Sequence, residues 1–140
     1  MMEELVWIGS AVVAALGTFW IHHRLHASPV MASSLVTLVF ALAVWLWGDG
    51  IEWLGPVPYA AIGGSFIGMS SKKYVKGIES ILLASLIFGV LFARSSQFFE
   101  GYGGALGTSA CISVLTAVSW RRLVKRSRQK VKRAWIRSGR

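Results

Sequence analysis

The sequence predicts an all-α fold: a polytopic bundle of five transmembrane helices, with its N-terminus outside and its C-terminus in the cytoplasm. Of the 140 residues, 54% are hydrophobic and 15% are charged, whereas about a quarter of the residues in an ordinary soluble domain are charged. Two early stretches, 5–21 and 30–48, contain no Asp, Glu, Lys or Arg. Each is close to the roughly 20 residues with which a helix crosses a hydrocarbon core about 30 Å thick.

The first two predicted spans are these uniformly apolar stretches, 5–21 and 30–48. A secretory signal peptide would begin with a basic segment, but Glu3 and Glu4 stand in that place. We therefore expect the first span to remain in the protein as a membrane helix.

The third predicted span, 54–71, is less regular than the first two. Pro56 and Pro58 stand at its start, where a missing backbone N–H costs least, and Gly63, Gly64 and Gly68 dilute its apolar side chains. A re-entrant hairpin remains an alternative for this segment.

The fourth and fifth predicted spans are residues 78–94 and 101–120. Small residues let membrane helices approach closely, and the fifth span carries a ridge of them at every fourth position: Gly101, Ala105, Ser109, Ser113 and Ala117. The ridge predicts a helix contact, either within the bundle or between subunits. Cys111, the single cysteine, is expected to be a buried packing residue.

The topology follows from the distribution of charge. The segments 22–29, 72–77 and 121–140 hold one, three and ten of the 15 Lys and Arg residues, leaving only Arg94 elsewhere. Short basic segments stay on the cytoplasmic side of a membrane, which five spans allow. The short loops favour a multi-pass protein of a prokaryotic inner membrane.

Ionisable residues are missing from the middle of every predicted span, which argues against an enzyme and against proton coupling. Glu79 is expected to pair with Lys76, three residues earlier. His22 and His26, four residues apart, could share a helix face, but no Cys or carboxylate accompanies them. We predict neither a metal site nor a cofactor.

Glycines and hydroxyl residues in the third and fifth spans are the candidate functional residues. Exposed backbone carbonyls and hydroxyls could form an uncharged path through a membrane, although hydroxyls also link neighbouring helices. The sequence thus favours a homo-oligomeric, channel-like or facilitative transport protein for a small solute or ion. The alternative is a non-transporting anchor or assembly subunit, or a lesion-forming, holin-like effector. The candidates for a pore or a helix contact are Gly63, Gly64, Ser65, Gly68, Ser70, Gly103, Gly104, Gly107, Thr108 and Ser109.

A basic cytoplasmic tail, residues 121–140, contains no acidic residue. Beside a membrane its first partner is expected to be anionic lipid, with nucleic acid an unlikely second. Val124, Val131 and Trp135 could share one helix face. The predicted lipid-binding residues are Arg121, Arg122, Lys125, Arg126, Arg128, Lys130, Lys132 and Arg133.

Overall fold

The computed structural model describes residues 2–48, 50–70, 75, 77–99 and 103–138, with side chains throughout except at 95–99, 103 and 130–138. These residues form five α-helices and one short 3-10 helix, without a strand among them, so the all-α prediction is confirmed. In chain order the elements are α1 (Met2–Arg24), α2 (Pro29–Trp47), the 3-10 helix (Glu52–Leu54), α3 (Val57–Gly68), α4 (Ile78–Phe99) and α5 (Gly103–Ser138).

Two of these helices, α1 and α2, are each long and apolar enough to cross a membrane. Of the most apolar 18-residue stretch of α1, 28% is buried within the protein, and of the corresponding stretch of α2, 17% is buried. A core helix of a soluble protein would hide most of its apolar side chains. Helices that leave them exposed over such lengths are suited to lipid, which supports membrane association.

The ends of the first two helices follow directly from the sequence. The side chain of Ser28 caps α2 by accepting a hydrogen bond from the backbone N–H of Met31 at 3.2 Å, and Pro29 takes the first helical position, where it is tolerated best. Glu3 and Glu4 lie in the first turn of α1, and a basic cluster lies in its last turn. Both charges oppose the helix dipole and stabilise the ends of α1.

The short helix α3 lies in the middle of the bundle and contacts all four other helices. At 12 residues it is about 18 Å long, so the predicted helix at 54–71 is too long at both ends. Before α3, the indole N–H of Trp7 in α1 donates to the carbonyl of Trp53 at 2.9 Å. Within α3, Gly64 packs on Ala11 and Gly68 packs on Ala15. The described part of the segment therefore runs parallel to α1 and does not double back on itself.

The remaining helices alternate in direction. Gly89, in the second half of α4, packs on Ile8 near the start of α1, whereas Ile78 at the start of α4 borders a groove with Trp20 and Arg24. Helix α4 is thus antiparallel to α1. Side chains from α1, α3, α4 and α5 fill the common core, and the largest of them are Ile67, Ile81, Phe88, Phe92 and Leu106.

Helix α5 continues without a break from Gly103 to Ser138. Its 36 residues extend for about 54 Å, so most of the predicted basic tail is a direct extension of the fifth predicted span. The positions of Val124, Val131 and Trp135 fall on this helix, while the side chains of the last two lie outside the described residues.

Candidate functional site

Gly64 and Gly68 hold α3 against the backbone of α1. A methyl group added at Gly64 would overlap the carbonyl of Ala11, and one at Gly68 would overlap the carbonyl of Ala15 and approach the Cβ of Thr18 to 2.7 Å. The two glycines are four residues apart, as in the small-residue contacts typical of membrane helices. This contact lies within one chain, and it leaves no room for a solute between α1 and α3.

Gly63 closes the neighbouring contact between α3 and α4. An added methyl group would overlap the ring of Phe88, whose side chain is completely buried. The next residue of α4, Gly89, faces α1, where the Cα of Ile8 lies 3.0 Å from where a Cβ of Gly89 would stand. The candidate glycines of α3 therefore lie inside a packed interior.

Ser65 links α3 to α2 through a buried hydroxyl pair. Its Oγ lies 2.8 Å from the Oγ of Ser33 and donates to the carbonyl of Ile62 at 2.7 Å. A hydroxyl has one proton to give, so the Ser33 hydroxyl is the donor in the pair. Ser70, the last candidate in this region, is half-buried just beyond the end of α3.

Ser33→Ala should lower the stability of the bundle by about 0.6 kcal/mol, and by no more than about 1.7 kcal/mol, the range measured for hydrogen bonds between membrane helices. Ser65 would still donate to its own helix, so no buried proton would lose its acceptor. Unfolding of the purified protein by SDS in mixed micelles measures the loss. Ser34→Ala is the matched control, because Ser34 is exposed. An equal loss in both variants would contradict a role for the Ser33–Ser65 pair.

Other buried hydroxyls donate to their own helices: Ser10 to the carbonyl of Trp7, Ser85 to that of Leu82, and Ser113 to that of Ser109, at 2.8 to 3.0 Å. Their protons are therefore not available to a solute. Thr18 differs, since its buried Oγ1 has no hydrogen-bond partner among the described residues.

The candidates in α5 lie apart from those in α3. Gly104 and Thr108 are exposed, and nothing lies within 4 Å of where a Cβ of Gly104 would stand. Gly107 is the point of contact between the two sets, because its Cβ position lies 3.9 Å from the ring of Phe66 in α3. Ser109 is half-buried and donates to the carbonyl of Ala105 at 2.7 Å. Gly103 begins the helix, and its side-chain environment lies outside the described residues.

The predicted small-residue ridge of α5 turns toward the bundle. Ser113 and Ala117 are buried, and Ala105 and Ser109 are half-buried. Gly101, the first predicted member, lies outside the described residues.

The opposite side of the helix, which we call the α5 outer face, comprises Gly104, Thr108, Cys111, Leu115 and Ser119, all exposed. Gly104 and Thr108 were among the predicted candidates, whereas sequence reasoning missed the other three residues of this face. The expectation that Cys111 is buried is wrong. The spacing of four, three, four and four residues along one helix face was the available signal.

Arg121 fastens α5 to the start of α4. Its Nη2 donates to Glu79 Oε2 at 2.7 Å and its Nη1 donates to Ser80 Oγ at 2.6 Å. The side chain of Arg121 is 37% exposed and that of Glu79 is 82% exposed, so the ion pair adds less than about 1 kcal/mol of stability. Glu79 thus has a partner in another helix, while its predicted partner Lys76 lies outside the described residues.

The histidines serve the end of α1. Nδ1 of His22 donates to the carbonyl of Ala27 at 2.8 Å, and Nδ1 of His23 donates to that of Phe19 at 2.9 Å. These bonds fix the two imidazole rings to the backbone around the end of α1. In the part of the chain that the structure describes, no group of three or more His, Cys, Asp or Glu residues could hold a metal ion.

Comparison of the chain with protein-family models, with curated proteins and with solved structures finds no match. Its function must therefore be inferred from its own geometry. Three features bear on that function: a closed interior around the α3 glycines, an α5 outer face in which Leu115 is the one large apolar residue, and a basic extension of the same helix.

Proposed function

We propose that the protein is a homo-oligomeric, channel-like membrane protein through which a small solute or ion passes between subunits rather than within one bundle. The observation that carries the proposal is the α5 outer face, where Gly104, Thr108 and Ser119 are exposed. Lipid chains gain little from a glycine or a hydroxyl, whereas a second helix gains close packing and hydrogen bonds from both. The same face repeated around a symmetry axis would line a narrow, uncharged passage.

The closed interior supports a path between subunits over one through a subunit. Gly64 and Gly68 are covered by α1, and Gly63 is covered by Phe88, so a passage along α3 would have to separate two tightly packed contacts. In the proposed assembly, the Thr108 hydroxyl, which donates its proton to the carbonyls of Gly104 and Ala105 at 3.1 and 2.9 Å, offers its oxygen as an acceptor near one mouth. Leu115 forms an apolar constriction of the kind that gates by excluding water.

In this proposal all five helices lie in a prokaryotic inner membrane, with the N-terminus outside and the C-terminus in the cytoplasm. The parallel direction of α1 and α3 and the opposite direction of α4 are compatible with this number of crossings. Anionic lipid would meet the exposed basic residues that directly follow Arg121. Attraction to a charged leaflet amounts to about 1 kcal/mol per basic residue near the surface and fades beyond about 8 Å at physiological salt. At 1.5 Å per residue, an upright helix keeps Arg122, Lys125 and Arg126 within that range, while Lys130, Lys132 and Arg133 would contribute less.

The native Cys111 tests the assembly directly, because it lies on the α5 outer face. We expect a short bismaleimide to cross-link the protein in native membranes to a dimer that Cys111→Ser abolishes. In the Cys111→Ser background, Val39→Cys places a thiol on the exposed side of α2 and should give no dimer. Cross-linking through position 39 but not through position 111 would contradict the proposed interface.

Flux through liposomes tests the transport function itself. Purified protein should pass at least one member of a panel of alkali cations, halides and small neutral molecules down its gradient, without requiring a proton gradient. Gly104→Val and Thr108→Leu should reduce the flux, whereas Val39→Leu should not. Exclusion of every solute would overturn the transport proposal.

The closed interior also favours a second candidate, a non-transporting anchor or assembly subunit. The long basic extension of α5 would then be the part that holds a partner. A dimer cross-linked through Cys111 in a protein that passes no solute would be the result expected for this candidate.

A further inference from the structure

A groove with a volume of about 630 Å³ opens between α1 and the beginning of α4. The two helices pack tightly toward the start of α1, where Gly89 meets Ile8 and the rings of Trp7 and Phe92 lie 6.3 Å apart. Toward the C-terminal end of α1 they separate. Ile78 is the residue of α4 that borders the groove.

The long wall of the groove is one side of α1. Val13, Leu16 and Trp20 line it at helical spacing, and Arg24 lies at its end. From Val13 to Arg24 the helix rises by about 16 Å, which is half of a hydrocarbon core about 30 Å thick. With Arg24 at one membrane surface, the groove would run from there to the level of the bilayer midplane, the distance covered by the acyl chain of a single leaflet.

Chemical character changes along the groove in the same direction. The end of the groove near Val13 is apolar, whereas His23 and Arg24 border the other end, and the described residues that line the groove include no acidic side chain. Glu79, which follows Ile78 in the chain, is paired with Arg121. An exposed guanidinium beside an apolar trough matches a molecule with a phosphate at one end and a hydrocarbon chain at the other.

We propose that this groove binds one anionic glycerophospholipid of the leaflet at the C-terminal end of α1, with an acyl chain along Val13, Leu16 and Trp20 and the phosphate on Arg24. The proposal goes beyond the proposed function, because it needs neither an oligomer nor a passage. The guanidinium of Arg24 gives this groove a headgroup contact in addition to the hydrocarbon contact that any exposed apolar surface offers a lipid.

Native mass spectrometry of the purified full chain in detergent tests the proposal. We expect one phosphatidylglycerol to bind more tightly than phosphatidylcholine with the same acyl chains. Arg24→Gln should weaken phosphatidylglycerol binding by about tenfold or more, the size of one lost hydrogen bond to a charged group. Arg94→Gln is the matched control, because Arg94 is also exposed but lies toward the other end of α4.

A second variant tests the acyl trough without changing the charge. Val13 is 59% exposed, so Val13→Trp fills the apolar end of the groove without disturbing the core, and it should weaken the binding of both lipids. Equal losses in the Arg24 and Arg94 variants, equal affinity for both headgroups, or unchanged binding by Val13→Trp would each overturn the proposal. Solute flux is measured separately, in liposomes of neutral lipid that contain no phosphatidylglycerol. A failure of the transport proposal can therefore be distinguished from a failure of the lipid-binding proposal.

Discussion

Gly64→Val should prevent the bundle from assembling, whereas Gly104→Val should leave its stability within about 0.5 kcal/mol of the parent protein. A side chain at Gly64 would overlap the carbonyl oxygen, the carbonyl carbon and the Cα of Ala11. These are backbone atoms, which cannot rotate away as a side chain can. Overpacking of a core costs about 1–3 kcal/mol and sometimes more, and we expect the upper end or beyond. At Gly104 nothing lies within 4 Å of the added carbon.

Thermal unfolding in mild detergent measures this difference, with the yield of monodisperse protein as a second reading. Gly64→Ala and Gly104→Ala form a gentler matched pair in case Gly64→Val gives no soluble protein. Equal stability of the two alanine variants would mean that α1 and α3 do not approach as closely as described. The pair also separates folding from transport, because only Gly104→Val should yield a folded protein with reduced flux.

Gly63→Ala should be strongly destabilising alone and rescued by Phe88→Leu. The three atoms that an added methyl group would overlap are Cζ, Cε1 and Cε2 of Phe88, and these are atoms that leucine lacks. Each single substitution should cost about 1–3 kcal/mol, the first through overlap and the second through a cavity. The double variant should recover about 0.5–3 kcal/mol relative to the sum of the two losses.

Unfolding of the four proteins of this cycle by SDS in mixed micelles gives the coupling energy. Phe92→Leu is the control, because Phe92 is equally buried and stacks on Phe88 at 6.0 Å without meeting an added carbon at Gly63. Rescue by Phe92→Leu as complete as that by Phe88→Leu would show general softening of the core instead of a specific fit.

Hydropathy predicted most of the helical regions because the apolar character of a helix is set by residues that are neighbours in the sequence. The predicted starts of α2 and α4, at residues 30 and 78, agree with the structure to within one residue. The length of α3 was overestimated, since apolar residues continue past both of its ends. Residues 121–138 contain neither Pro nor Gly, and this lack of helix breakers was the available sign that α5 would continue into the predicted tail.

The candidate site was less accessible to sequence reasoning, because its contacts join distant residues. Gly64–Gly68 and Gly103–Gly107 have the same spacing, yet the first pair is buried against α1. In the second pair Gly107 is only half-buried, and Gly104, which lies between its two members, is exposed. The spacing of glycines shows that a helix can be approached closely, but it does not identify the neighbour. Likewise, Glu79 was expected to pair within three residues, whereas Arg121 lies 42 residues away.

The continuity of α5 across the end of the bundle makes the basic extension a lever. Between Thr108 and Ser138 the helix contains no Pro or Gly, the residues at which helices most readily bend. A force that displaces the helix near Ser138 would therefore tilt the whole of α5. The fixed point of this tilt would be Arg121, which is bound to Glu79 and Ser80 of α4. Because the α5 outer face is carried on the same helix, a partner that binds the extension would, in the proposed oligomer, change the angle at which neighbouring subunits meet without touching that face.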